Sequence, residues 1–286
     1  MKPQKPHCGQ ARAITSPATA VACEQRVHRR SDTSSPPFKR ERRQHRGTQA
    51  YNNMSAGKRA VLVCVDIQND FCDDPEGALA VRGSRALAPV WNELLAMPFA
   101  LKVATRDCHP ADHVSFASQH PGKQSFQDTI TVKNPENEQD TPFTSTLWPN
   151  HCIRGTPGCE IISELDMSKV QHIIEKGQDK RFECYSAFGP PYRNPKLGDD
   201  QMIRLLQSEG ITDVFVVGLA YEACVFHTAK DAAEYGFRTY LIEDAAAFAN
   251  KSDDNISSIR KTLQDAGVSL IGLQSKEVWE IKSAAS

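Results

Sequence analysis

Residues 213–235 read as strand, tight turn and helix in immediate succession, and that succession restricts the chain to a parallel α/β sheet. Residues 213–217 are a short apolar run rich in valine, the kind that fills a strand buried on both faces. Gly218, Leu219 and Ala220 are compact and permit a sharp turn. From about Glu222 the period becomes helical, with Val225, Ala229, Ala232 and Ala233 at helix spacing. Cys224 therefore falls in the first turn of the helix, at the carboxyl end of the strand, where open α/β sheets place ligands. A thiolate there gains roughly 0.3–1 kcal/mol from the helix dipole. The free N–H groups of the turn suit a developing oxyanion. The same thiol also reads as a small buried hydrophobe, as most cysteines are.

The rest of the chain supplies the sheet. Residues 60–66, 101–105, 170–175, 238–242 and 268–271 are further apolar runs, separated by helical periods over 84–96, 199–209, 252–266 and 274–283. Strands alternating with helices predict a single doubly wound domain over residues 57–286, with a six-stranded parallel sheet flanked by helices. A reversal of the chain between the first and fourth strands would bring Asp66 beside Cys224. Residues 112–116 read as a short helix, and the polar stretch 118–147 as a long irregular loop.

All strands of a parallel sheet point one way, so the groups at their carboxyl ends share one edge. Asp66 ends the first strand. Asp107 and His109 follow the second, at alternate positions that face one way in an extended segment, and make half of a site for a borderline metal. An N-cap aspartate and a surface histidine account for them equally well. His151 closes the long loop as a candidate third ligand beside Trp148, which can stack on a planar substrate; a loop histidine and a core anchor are the plainer accounts. Lys176 ends the third strand, either as a solvated charge or as an ammonium on the same edge as Asp66 and Cys224.

Residues 1–56 carry eleven Lys/Arg against three Asp/Glu, a balance of +8 that leaves −9 on the remainder of a chain whose net charge is −1. Their polar, Pro-interrupted composition predicts a disordered basic extension. A transit peptide, a nuclear-localisation patch at residues 39–43 and a true start at Met54 stay open. Nothing in the acidic remainder suggests nucleic-acid binding, and no apolar run is long enough to cross a membrane. Nine cysteines without a CxxC pair fit free thiols in a reducing, intracellular compartment, the cytoplasm first, with nucleus, peroxisome and mitochondrion open.

The segments VDIQNDF (65–71), TRDCHP (105–110), SF (115–116), LWPNHC (147–152), EKG (175–177), YSAF (185–188) and GLAYEACV (218–225) occur in order. With them, the chain resembles the isochorismatase-like cysteine hydrolases, and within these the eukaryotic, fungal-type nicotinamidases. The resemblance covers about residues 59–274 and excludes the basic extension. It implies hydrolysis of nicotinamide to nicotinate and ammonia through a cysteine thioester, as in NAD salvage. It implies Asp66, Lys176 and Cys224 as catalytic triad, the N–H groups of Ala220 and Cys224 as oxyanion donors, and a cis Leu219–Ala220 bond. It implies Phe71, Trp148, Tyr185 and Leu219 as substrate-binding, and Asp107, His109 and His151 as ligands of one divalent metal that holds the pyridine nitrogen. Zinc suits these ligands best, and manganese or iron(II) also fit. Homo-oligomerisation stays open.

Two residues depart from the family pattern. Ala223 stands where relatives can carry an aromatic, and Cys108 stands between two implied ligands where tryptophan is common. Competing readings are another amidohydrolase of the same fold, acting on a different small amide or carbamoyl group, and a non-catalytic metal-binding module. The intact Asp66–Lys176–Cys224 set argues against the second, and also against isochorismate cleavage, which needs no thiol.

Overall fold

The computed structural model describes residues 57–72, 77–192, 194–198, 200–249 and 252–284. The basic extension expected at residues 1–56 lies outside the described residues. The strands are β1 (Ala60–Val65), β2 (Leu101–Asp107), β3 (Thr129–Val132), β4 (Phe143–Thr146), β5 (His172–Lys176), β6 (Asp213–Gly218), β7 (Arg238–Ala246) and β8 (Ser269–Ile271). The α-helices are α1 (Ala88–Ala96), α2 (Gln201–Ser208), α3 (Phe226–Glu234), α4 (Asp253–Asp265) and α5 (Lys276–Ser283).

Six strands form one sheet in the order β5-β2-β1-β6-β7-β8, every pairing parallel. Strand β1 shows why both faces must be covered. Its alternate residues Ala60, Leu62 and Cys64 pack with Trp91, Leu94 and Leu95 of α1 and Val278 and Ile281 of α5. Val61, Val63 and Val65 pack on the other face with Met202 and Leu206 of α2, Ala229 and Ala232 of α3 and Leu263 of α4. A strand buried on both sides has no polar alternation, which is why β1 and β6 read as continuous apolar runs. The chain winds outward from β1 through β2 to β5, then returns to β6 on the other side of β1. The expected reversal is therefore present, and the β1–β6 seam opens at the edge that carries the candidate groups.

Three local expectations are corrected. The stretch 118–147 is not wholly irregular: β3 and β4 pair antiparallel within it, with Thr129 opposite Thr146. Residues 112–116 form turns, followed by a short 3-10 segment, Ala117–Gln119, because the His113 ring binds the Phe182 carbonyl and the Ser115 hydroxyl. The helix carrying Cys224 opens with a wide π turn, Tyr221–Val225, before α3. Among the described residues no helix is long and apolar enough to cross a membrane.

Candidate active site and metal centre

The register of the sheet brings the site together. Asp107 and Lys176 are direct neighbours across β2 and β5, and Val65 pairs with Gly218 across β1 and β6. The edge therefore presents, in order, Lys176, Asp107, Asp66 and the turn leading to Cys224. All four are buried, with Asp66 fully so and Lys176 only 5% exposed.

Lys176 is the hub. Its Nζ lies 2.7 Å from Asp66 Oδ2, donates to Cys224 Sγ at 3.3 Å and is tightly paired with Asp107 Oδ1. Burial alone would strip its proton, but Asp107 and Asp66 outweigh it and hold the ammonium well above the usual lysine range. Asp66 sits just beyond β1 in the left-handed region, with φ 48°, a conformation that costs a non-glycine residue on the order of 1–3 kcal/mol. Thr105 fixes it there. The Thr105 hydroxyl donates to Asp66 Oδ1 at 2.6 Å and accepts from the Asp66 N–H at 3.1 Å. Asp66 Oδ2 has the lysine as ion-pair partner but no well-directed hydrogen bond. It is thus the oxygen with a lone pair to offer a proton donor. Burial raises the Asp66 carboxyl above the ordinary aspartate range, and Lys176 only partly offsets this. Burial also raises the Cys224 thiol well above its usual value, and Asp66 and Asp107 outlast the opposing pull of Lys176.

Asp107, His109 and His151 also meet, each offering one ligand atom within 4.8 Å of the others. His109 Nδ1 lies 2.9 Å from the Gly177 carbonyl and His151 Nδ1 lies 2.8 Å from the Pro149 carbonyl. A carbonyl only accepts, so each ring carries its proton on Nδ1 and turns a bare Nε2 lone pair inward. His109 Nε2 is buried, 3.6 Å from Asp107 Oδ2, with no hydrogen bond. An orphaned imidazole lone pair facing a carboxylate is costly unless a cation takes both. The residues therefore fit a divalent metal. Asp107 divides its oxygens, Oδ1 to Lys176 and Oδ2 toward His109.

Three supports were not singled out as functional in the sequence. Gln68 clamps the Asp107 backbone, its amide donating to Asp107 O and accepting from Asp107 N–H, both at 2.8 Å. Gly177 has φ 67°, and a Cβ there would stand 2.3 Å from the His109 ring, so only glycine lets that ring sit. Asp70 accepts the Cys152 N–H at 2.6 Å and holds the turn after His151. The signal was there in the polar letters Gln68 and Asp70 within an otherwise strand-exit motif, but their partners lie 39 and 82 residues away.

A small, mostly apolar cavity opens onto Cys224 and is lined by Phe71, Trp148, Tyr185 and Ala220, with Asp107 and His151 at its metal-facing side. Trp148 Nε1 donates to the Tyr185 hydroxyl at 3.0 Å, which locks the two rings as one wall. Leu219 is not part of it. Its side chain is fully buried in the core on the α1 side of the sheet, because the strand continues through it, with its N–H donating to Val65 O at 2.9 Å. The Leu219–Ala220 bond is trans: among the described residues the cis bond is Asn194–Pro195. Glu183, whose carboxylate accepts the Cys184 N–H at 2.8 Å, lines the cavity too, with Leu79, Val81, Glu222, Ala223 and Ala249.

A family model described as isochorismatase domain matches residues 60–271. The nicotinamidase of Acinetobacter baylyi is 38% identical over 192 residues, covering 67% of this chain and 83% of that protein. The crystal structure of the yeast nicotinamidase bound to the inhibitor nicotinaldehyde superposes with a TM-score of 0.69 at 30% identity, over 74% of this chain and 99% of the yeast chain. The pyrazinamidase of Pyrococcus horikoshii in complex with zinc gives a TM-score of 0.55 at 28% identity, over 75% of this chain and 99% of the other.

Proposed function

The chain belongs to the isochorismatase domain family, and from that premise we infer its reaction: it is a nicotinamidase, hydrolysing nicotinamide to nicotinate and ammonia in NAD salvage. The observation that carries the reading is the meeting of Asp66, Lys176 and Cys224 beside a ring-sized apolar cavity whose far side holds Asp107 and His151.

The carboxamide is a poor electrophile, and the buried thiol is protonated, so attack needs a base. Asp66 Oδ2 takes the Cys224 proton as the sulfur bonds to the amide carbon. Lys176, already in contact with both groups, carries the negative charge as it passes from carboxylate to sulfur. The N–H groups of Ala220 and Cys224 are assigned to the oxyanion. The Ala220 N–H has no acceptor among the described residues. Protonated Asp66 then gives its proton to the departing ammonia, and water opens the thioester with Asp66 as base again. Phe71, Trp148 and Tyr185 hold the ring and keep bulk water from it. Asp107, His109 and His151 would hold one divalent ion, zinc by the match of its preferred donors, which supplies a Lewis-acid anchor for the pyridine nitrogen.

Ammonia release from nicotinamide by purified, zinc-loaded protein tests the reading. The expected result is release matched by nicotinate and weakened by a chelator. Zinc-loaded protein that leaves nicotinamide intact would overturn it. Residues 57–286 are proposed as the whole catalytic domain, so a chain begun at Met54 should match the full chain in the same assay, and a loss beyond twofold would refute that division.

The raised Asp66 carboxyl sets a pH dependence. Asp66 must be unprotonated to accept the thiol proton, so activity is lost as pH falls through its value. The acid limb of kcat/KM is expected above the ordinary aspartate value of about 3.9. A limb at or below that value would show that Asp66 is not the base.

A further inference from the structure

Two cysteines that the reaction does not use meet directly behind the candidate metal ligands. Cys108 is the residue between Asp107 and His109, and its Sγ accepts a hydrogen bond from Arg154 Nε at 3.4 Å. Cys159 comes from the turn that follows Pro157, and its Sγ–H donates to the Asp107 carbonyl at 3.2 Å. That carbonyl belongs to the peptide joining Asp107 to Cys108. The Cys159 thiol thus rests against the peptide that leads into Cys108, and the two sulfurs are close enough to act on each other electrostatically. One amide aligns both segments: Gln68 Nε2 donates to Asp107 O and to Cys159 O, each at 2.8 Å. Both thiols are free and buried, and Arg154, which meets the Cys108 sulfur, is exposed.

We propose that Cys108 and Cys159 form a reversible disulfide when the protein meets a hydroperoxide, and that this modification site governs the Asp107–His109 segment. The Cys108 sulfur attacks the peroxide, the O–O bond breaks, and the sulfur becomes a sulfenic acid while water or an alcohol leaves with the thiol proton. The Cys159 sulfur then attacks the sulfenic sulfur, the S–S bond forms and water departs. Two electrons pass from the two thiols to the peroxide. The Arg154 N–H, aimed at the Cys108 sulfur, makes Cys108 the one that attacks first. An S–S bond of about 2.05 Å is far shorter than any non-bonded contact between two sulfurs. Closing it draws Cys108 toward Cys159 and away from Arg154, and moves the backbone from which Asp107 and His109 project. The cross-link does not depend on the nicotinamidase reading; its effect on zinc rests on the assignment of Asp107, His109 and His151 as ligands.

The test uses the full chain loaded with zinc. It is exposed to hydrogen peroxide, alkylated in denaturant with N-ethylmaleimide, digested without reductant and read by mass spectrometry. The expected product is a Cys108–Cys159 linked peptide, two hydrogens lighter than its parts and absent after dithiothreitol. Zinc affinity, read by competition with a chromophoric chelator, should fall roughly 10–100-fold in the linked protein and recover on reduction. Cys159→Ser should lose both the link and the reversible zinc release; the same measurements on the native chain decide the matter if that variant folds poorly. Recovery of Cys108 and Cys159 as maleimide adducts after peroxide, with or without oxidation of Cys224, would overturn the proposal. A linked protein with unchanged zinc affinity would overturn its governing role. Ammonia release enters neither readout, so failure here is distinct from failure of the proposed reaction.

Discussion

Cys224→Ala is expected to lose at least about 10⁴-fold in kcat for ammonia release, with zinc content and thermal unfolding unchanged. The size follows from the division of labour at the edge of the sheet. Covalent attack splits a difficult amide hydrolysis into two easier steps, and Cys224 is the proposed nucleophile, with Lys176 bonded to its sulfur and Asp66 within 4.8 Å of it. Without the sulfur, the lysine and aspartate have no group to activate, and the residual rate comes from ring binding alone. Cys224→Ser should fall nearly as far, because a hydroxyl holds its proton more tightly than the thiol and Asp66 is the same base in both. A single-turnover measurement with nicotinamide, alongside zinc analysis, checks this. Retention of more than a hundredth of the native rate by Cys224→Ala would move the nucleophile elsewhere.

The parts of this site that the sequence reveals and conceals differ for physical reasons. Residues 60–65 and 213–218 are legible because a strand covered by helices on both faces must be continuously apolar, and few other structures demand that. Once the strands are placed, the parallel sheet forces their terminal groups onto one edge, so Asp66, Asp107, Lys176 and Cys224 could be gathered without any coordinates. What stays hidden is whatever depends on a partner far along the chain. Thr105 reads as an ordinary β-branched strand residue, yet its hydroxyl is what holds Asp66 at φ 48°. Gly177 reads as a strand-ending turn, and only the His109 ring standing against it shows why it lacks a side chain. The resemblance implies Leu219 in the pocket, but a turn decides side-chain direction one residue at a time, and Leu219 still follows the inward pleat of β6. The hairpin of β3 and β4 escapes the sequence because its strands are short and only two of their eight residues are buried, so the run carries too little apolar signal to mark it. Around Cys224 the sequence shows a cation and a helix start, but not the depth of burial that pushes the thiol up against the pull of Lys176.

Depth also sets the largest expected stability effect, that of Lys176→Met. The ammonium is the sole cation bridging two buried carboxylates among the ion pairs described at this edge. Removing one partner of a buried ionic cluster costs on the order of 3–5 kcal/mol, since the charges left behind are neither solvated nor paired. Methionine fills much of the space, so the loss is electrostatic more than steric. The pH dependence separates the two. In the native protein, burial acts against the Asp107 carboxylate, but Lys176 holds its carboxyl well below the usual range. A depressed carboxyl contributes stability above its unfolded value near 3.9, and loses it as pH falls. In Lys176→Met the sign reverses for Asp107, and Asp66, already raised in the native protein, rises further. Asp66 and Asp107 face each other without the ammonium, their folded values rise above the unfolded ones, and stability is kept in acid and lost as pH rises. The deficit relative to the native chain should therefore grow between pH 5 and pH 8, measured by urea unfolding of both proteins freed of metal. A cavity or packing defect would give the same deficit at both. Activity should fall about 10²–10³-fold at neutral pH, the range seen when one preorganised donor is removed from a reacting charge. A variant that is destabilised equally at both pH values and still hydrolyses nicotinamide at the native rate would reduce Lys176 to a packing residue, and the hydrogen bond it makes to Cys224 would then carry no part of the chemistry.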